Sequence, residues 1–324
     1  MGKAPSAAEV VKYMDTLSNW GRWGAEDTLG TLNLITASKR KQAGALIRDG
    51  VSVSCSRLIP HIGSGAMLGM GGPQSYMIQS GEKYALGDPR ADKSMLQYAA
   101  ENVSFIFHGF AFTHIDGLAH VFVGGKMYNG RSSALVTSGE GAQIQTAEVM
   151  RDGILTRGVL LDLARLRGKD CLGADDPAFP EDLEACEKAQ RVRVEEGDVV
   201  LLRTGYQGML DSLPAGAPHA AEHSGYHAAC LPWFRERGVA VIGADVINDP
   251  IPTGYDAAAS EGITALPVHA IALVAMGLRL IDNAHLERLG QACAERNRWE
   301  FCFSINPLRF ERSTGSPVNP IATF

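Results

Sequence analysis

Paired cysteines are missing from this chain. Its six cysteines, Cys55, Cys171, Cys186, Cys230, Cys293 and Cys302, are scattered without a CxxC pair. Neither a disulfide frame nor a structural zinc knuckle is indicated, and reduced, inert thiols are expected. No lysine- or arginine-rich run occurs and the formal net charge is −6, which speaks against a nucleic-acid partner. A stretch of about 20 consecutive apolar residues is nowhere found, so no spanning helix is expected. The opening MGKAPSAAEVVKYMD lacks the apolar core of a secretory signal, and a cytoplasmic protein is the expectation. Catalytic signatures are missing too. There is no G-x-S-x-G elbow and no strand–GxGxxG–helix fingerprint, and GGKMYNG lacks the Ser or Thr of a phosphate loop. Serine-hydrolase and nucleotide-dependent chemistry are therefore disfavoured.

What is present fits a globular α/β protein. The 324 residues are 45% hydrophobic, enough for a substantial core. Short β-branched runs (VSFIFHGFAFTHID, RGVLLDLARL, GDVVLLRTGY, GVAVIGADVI, WEFCFSINPLRF) alternate with helical patterns such as PEDLEACEKAQ and LPVHAIALVAMGL. That mixture predicts a largely buried sheet with helices, and the lack of repeats or linkers predicts one domain. Residues 1–35 read as an ordered N-terminal arm. Thr36 reads as the cap of a helix over 37–48, closed by Gly50. The Gly- and Met-rich residues 61–87 read as an irregular loop, either a cover over a site or an excursion without chemistry.

Three of the nine histidines lie in FIFHGFAFTHIDGLAHVF, from Phe105 to Phe122. On a strand, side chains two apart share a face, so His114 and Asp116 project together and His108 has the same parity. His120 follows just past Gly117. Imidazoles and a carboxylate gathered this way suit Zn²⁺, Mn²⁺ or Fe²⁺. The competing explanation is a set of hydrogen-bonded core histidines. Burying several such groups without a cation costs several kcal/mol unless each finds a partner.

The stretch Thr113–His120, THIDGLAH, resembles the H-x-G-T-H-x-D-x-P-x-H signature of the metal-dependent cyclase family, which includes kynurenine formamidase and isatin hydrolase. NWGRWGAEDTLGTLNLIT, HVFVGGKMYNG, LLRTGY, PVHAIALVAMGLRLIDNAHLERL and TGSPVNPIA resemble its longer bacterial branch, so the likeness spans nearly the whole chain. It implies the family's swivelling β/β/α fold, a homodimer or homotetramer, and one or two divalent ions, Mn or Zn. Three positions depart from the signature, Phe112 standing in place of the glycine. Phe110 stands where the first histidine belongs, with His108 the substitute ligand, and Leu118 replaces the proline.

The same resemblance implies His269 and Asp282 as remote metal ligands beside His108, His114 and Asp116. A helix histidine buried among aliphatic residues and a helix N-cap are the respective alternatives. His120 is the candidate general base, a further ligand being its alternative. Arg203 suits a substrate carboxylate or oxyanion, or a structural ion pair. Asp245, ending a predicted strand, orients a ligand or closes a turn. Trp20 and Trp23 either wall an aromatic substrate or anchor the arm. His219, His223 and His227 fall at helical spacing, but Pro218 and Gly225 argue for a loop, from which His223 reaches the pocket mouth. The function so implied is hydrolysis of a non-peptide C–N bond, in a cyclic or N-formyl amide of a small, aromatic substrate. A lactone hydrolase and a non-catalytic metal-binding protein are the rivals.

Overall fold

The structure, a computed structural model, describes residues 4–61, 72–89, 94–214 and 221–324. In chain order the strands are β1 (Ser52–Ser54), β2 (Gln74–Gln79), β3 (Ala100–Ser104), β4 (His114–Asp116), β5 (Val136–Thr137), β6 (Gly141–Ala142), β7 (Ile154–Asp162), β8 (Val199–Arg203), β9 (Val241–Ala244), β10 (Arg279–Asp282), β11 (Glu300–Ile305), β12 (Gly315–Pro317) and β13 (Ile321–Thr323). Nine of them form one sheet in the order β1-β13-β11-β7-β8-β9-β10-β4-β12. Its centre, β7 to β10, is parallel, and antiparallel strands flank it on both sides. Strands from both ends of the chain thus share this sheet, giving the expected α/β architecture.

Why the centre is parallel is legible in its residues. Val199–Leu202 is apolar without alternation because both faces are covered. Val200 and Leu202 pack into one core with Val159, Leu161 and Leu273. Val199 and Leu201 pack into the other with Leu160, Phe301 and Phe303. Helices Leu163–Leu166, Pro180–Gln190, Tyr206–Ser212 and Cys230–Arg237 make the crossovers. Functional groups in such sheets collect at the carboxyl ends of the parallel strands. Arg203, Asp245 and Asp282 all stand there.

Ser6 and Glu9 form a capping box on helix Ala7–Thr16. Thr36 does cap a helix, accepting from the Lys39 amide, but that helix ends at Gly44, six residues before Gly50. Gly44 is a poor helix former, and Ala45 takes the C-cap. Two other expectations need correction. Within 61–87, residues 62–71 lie outside the described residues, but Gln74–Gln79 is a strand and Glu82–Ala85 a helical turn. The run around FIFHGFAFTHID is not one strand: β3 stops at Ser104 and β4 begins at His114. Gly109, at φ +103°, bends the chain between them.

Candidate metal centre

β4 lies between β10 and β12, with Asp282 opposite His114 and Gly315 opposite Asp116. This is where the parallel part of the sheet meets its antiparallel edge. His114 and Asp116 share a face, as their spacing requires, with Nε2 3.5 Å from Oδ1. His108 joins them through the bend after β3 rather than by strand parity. Its Nδ1 is 3.0 Å from Asp116 Oδ1, and its Nε2 is 3.0 Å from Thr314 Oγ1. A Cβ on Gly315 would fall 2.8 Å from the His108 ring and 2.7 Å from the Ile115 carbonyl, so glycine is required to seat that ring. His120 stacks on His108, centroids 3.7 Å apart and rings parallel. Its Nε2 is 3.9 Å from Asp116 Oδ1, beyond hydrogen-bond reach.

The remote partners arrive as implied. His269 Nε2 is 3.1 Å from Asp282 Oδ2 and 3.7 Å from Asp116 Oδ2. Asp282 also lies 3.6 Å from His114 Nε2. Asp282 caps no helix, because the next one starts at Glu287 with Leu286 at its N-cap. His269 closes the short turn Pro267–His269, which continues as a π-helix over Ala270–Met276.

Sequence reasoning missed two supporting residues. Asp249 accepts from the Val268 and His269 amides and, at 2.6 Å, from His269 Nδ1. It thereby fixes both the helix start and the tautomer that leaves Nε2 facing the cluster. Asn248 donates to Asp282 Oδ1 and to the Ile281 carbonyl. The only sequence signal was an Asn-Asp pair just beyond a predicted strand.

The donor chemistry of this cluster fits a cation. His114 Nδ1 donates to the Phe112 carbonyl, so its lone pair on Nε2 faces two carboxylates. Both oxygens of Asp116 and Nδ1 of His108 are buried without a hydrogen-bond partner. Asp116, Asp249 and Asp282 are all buried, yet among the described residues no lysine or arginine pairs with any of them. Uncompensated buried carboxylates are costly, and a divalent ion removes that cost. Two groups, His108–Asp116–His120 and His114–Asp116–Asp282, each gather their donor atoms within 4.8 Å, and they share Asp116. Burial would raise the Asp116 pKa, but His120, then His108 and His114, outweigh it and hold the carboxyl well below its usual range. Burial dominates for His120 and takes it down to about 4, against the pull of Asp116. His269 is opposed by burial, yet Asp282 and Asp249 raise it well above the ordinary value.

The remaining sequence candidates fall elsewhere. Arg203 is bidentate to Glu287 and bound to Asp162 at 2.8 Å, so its donors are spent on structure. Asp245 accepts from Thr204 N, Thr204 Oγ1 and Gly205 N, closing the turn after β8. Burial lifts its pKa to about 6, with the Thr204 hydrogen bonds opposing. Trp20 donates its indole N–H to the Val274 carbonyl, and Asn19 binds the Ala275 and Met276 oxygens. The arm therefore satisfies the free carbonyls of the π-helix that begins after His269. Trp23 carries the Arg22 guanidinium on its face. His219 lies outside the described residues. His223 and His227 belong to no helix and part company: His227 stacks on Phe179, whereas His223 packs against Phe110 and Tyr206. His223 Nδ1 donates to the Ser224 carbonyl at 2.7 Å, leaving Nε2 as an acceptor that is buried and unpartnered. All six cysteines are free, and burial pushes thiols such as Cys55 up to about 12.

Fold and site together define a mixed α/β protein whose sheet carries a buried cluster of imidazoles and carboxylates that could hold a metal ion. The Cyclase family's sequence model matches residues 51–248, more than half of the chain. This chain belongs to that family. Among solved structures it resembles one described as a novel cyclase, with 29% identity over 96% of this chain and 99% of that one, at a TM-score of 0.87. Isatin hydrolase A from Labrenzia aggregata, bound to benzyl benzoate, is 17% identical over 86% of this chain and 94% of its own, TM-score 0.55. Isatin hydrolase A from Ralstonia solanacearum is 20% identical over 88% and 95%, TM-score 0.53. At those identities the likeness is one of fold. No curated protein sequence matches the chain. Among the described residues no helix is long and apolar enough to cross a membrane.

Proposed function

We propose that the protein is a metal-dependent hydrolase that opens a non-peptide C–N bond in a cyclic or N-formyl amide. The observation that carries this reading is the buried carboxylate of Asp116, left without a hydrogen-bond partner amid imidazole nitrogens. His108, His114, Asp116, His269 and Asp282 would hold the ion, Mn²⁺ or Zn²⁺. The chemistry such an ion supplies is Lewis acidity toward an acyl oxygen and acidification of water. Two relatives of the same fold being hydrolases by name supports that direction.

The chain's own residues supply the rest. His120 is only half-buried at the edge of the cluster, with its Nε2 free of any hydrogen bond to Asp116. A ring held neutral at physiological pH takes a proton from attacking water and returns it to the departing nitrogen. Asp249, accepting from His269 Nδ1, fixes the orientation of that ring toward the cluster. The buried, unpartnered Nε2 of His223 is the acceptor that a substrate N–H would satisfy. A lactone has no N–H to offer, so this buried acceptor favours amides over the same ring closed through oxygen. Elemental analysis of the purified protein, paired with hydrolysis of phthalimide, N-formylaniline and phthalide, tests the proposal. Stoichiometric Mn or Zn with amide turnover supports it. Absence of metal, and no turnover after adding metal, overturns it.

A further inference from the structure

Arg203 spends its donors on Glu287 and Asp162, so the anion-binding role expected of it falls open. Arg57 is placed to take it. It follows β1, and its amide donates to Thr113 Oγ1 at 2.9 Å, one residue before His114. The Thr113 hydroxyl in turn donates to the Asn283 carbonyl at 2.6 Å, one residue past Asp282. The backbone of Arg57 is thereby pinned beside two of the metal-facing residues. Its side chain is half-buried, yet among the described residues the guanidinium meets no hydrogen-bond acceptor, carboxylate or aromatic face. Asp211 is the acid that acts on it most, and that carboxylate is already bound by His285 Nε2 at 2.7 Å. Burial lowers the Arg57 pKa, against the pull of Asp211 and Tyr206, as befits a cation short of a partner. Tyr206 itself packs edge-on against His223, centroids 5.4 Å apart.

Arg57 also lines a groove of about 770 Å³, a size that suits a small ligand. Ile59, Phe105, Phe107, Leu308 and Phe310 give it apolar walls, and among the described residues Arg57 is the one charged side chain along it. The groove borders the metal cluster. The Phe107 ring lies 4.6 Å from the His108 ring and 6.2 Å from that of His114, and Pro317, also on the wall, pairs with His114 between β12 and β4. We infer that Arg57 binds a carboxylate carried by the substrate, whose apolar body lies in this groove while its amide reaches the metal cluster. The fork of a guanidinium matches a carboxylate through two parallel hydrogen bonds. Among the described residues the groove offers no acidic side chain to an ammonium, so the class is an amide of a plain acid and not of a free α-amino acid. The placement of the amide rests on the hydrolase proposed above; the anion subsite does not.

Titration calorimetry of the full chain with hydrocinnamate and with the uncharged hydrocinnamyl alcohol tests the subsite without any turnover. The acid should bind the wild type about 10- to 100-fold more tightly than the alcohol, and Arg57→Gln should remove that advantage. Arg57→Lys, which keeps the charge and loses the fork, should retain part of it. Because the guanidinium has no partner within the chain, Arg57→Gln should unfold at the same denaturant concentration as the wild type. Kinetics give the second readout. Wild type should prefer para-formamidohydrocinnamate to its methyl ester and to the corresponding α-amino acid. In Arg57→Gln the preference over the ester should fall about 10- to 100-fold, the loss lying on KM more than on kcat. Arg151→Gln, at an exposed position elsewhere, should keep the wild-type preference. Acid binding that survives in Arg57→Gln would seat the carboxylate on the metal cluster instead and overturn the inference. Amide turnover without preference for the acid would overturn it too, leaving the hydrolase standing. Acid binding that depends on Arg57, with no amide turned over, would uphold the subsite and sink the hydrolase.

Discussion

Asp116 and Asp198 are both buried aspartates on this sheet, and they live in opposite circumstances. Asp198 takes a fork of hydrogen bonds from Arg157, an ion pair from Lys39 at 2.6 Å and the Glu195 amide. Its charge is cancelled where it stands. Asp116 has only imidazoles around it, no lysine or arginine among the described residues, and two oxygens without hydrogen bonds. The first arrangement holds a fold together. The second carries an electrostatic cost that evolution retains only where a bound cation, or the chemistry it enables, repays it.

Exchanging the two environments' losses is the largest test of that contrast. Asp198→Ala strands Arg157 and Lys39 and should cost about 3–5 kcal/mol of stability, read by denaturant unfolding. Asp116→Asn should leave the metal-free protein as stable as the wild type or more so, since it removes a buried charge. The same change should lower metal affinity by more than about 100-fold, because even supporting residues outside the ligand set cost 10–100-fold. Equal destabilisation by both variants would erase the distinction drawn here.

His120→Ala comes next. It should lower kcat by about 10²–10⁴-fold while elemental analysis shows the metal content retained. Loss of metal in step with activity would instead make His120 a ligand. A smaller effect is expected at His223, where Phe should slow hydrolysis of phthalimide about 10- to 100-fold and leave N-methylphthalimide nearly untouched.

How much of this contrast could be read in the sequence follows from how local each feature is. The pairing of His114 with Asp116 rests on a period of two within a single strand, and it was legible. His108 was legible as a candidate, but its route was not, because the bend at Gly109 interrupts what looks like one β-branched run. His269 and Asp282 came only from the resemblance, since their approach to β4 depends on β10 pairing with that strand and on the fold bringing Pro267–His269 beside it. Asp249, Asn248 and Gly315 were invisible for the same reason: each acts on a residue that only the tertiary fold brings near. Trp20 read either as a substrate wall or as an anchor for the arm, and the bond from its indole to the Val274 carbonyl is an anchoring one; which carbonyl it meets leaves no trace in a sequence. His219, His223 and His227 matched a helical face by count alone, and the chain there follows no helix at 223 and 227.

The smallest effect separates His227 from the metal cluster. Its Nδ1 accepts from the Ala229 amide and its Nε2 sits 3.3 Å from the Tyr255 hydroxyl, so protonation would break an existing bond. Burial lowers it from 6.5 to about 4. Below pH 6.5 the unfolded chain binds a proton that the folded chain refuses, so stability falls as the pH drops through that window. His227→Gln should flatten the slope of unfolding free energy against pH there by up to one proton. An unchanged slope would show that His227 is protonated in place.

The central claim is that Asp116 and its imidazoles exist to hold a divalent ion. Titration calorimetry of chelator-stripped protein with Mn²⁺ and with Zn²⁺, wild type beside Asp116→Asn, tests it most directly. Saturable binding of at least one ion per chain, with protons released and the heat abolished in the variant, is the expected result. Binding that is absent from the wild type, or unaltered by the substitution, would contradict it.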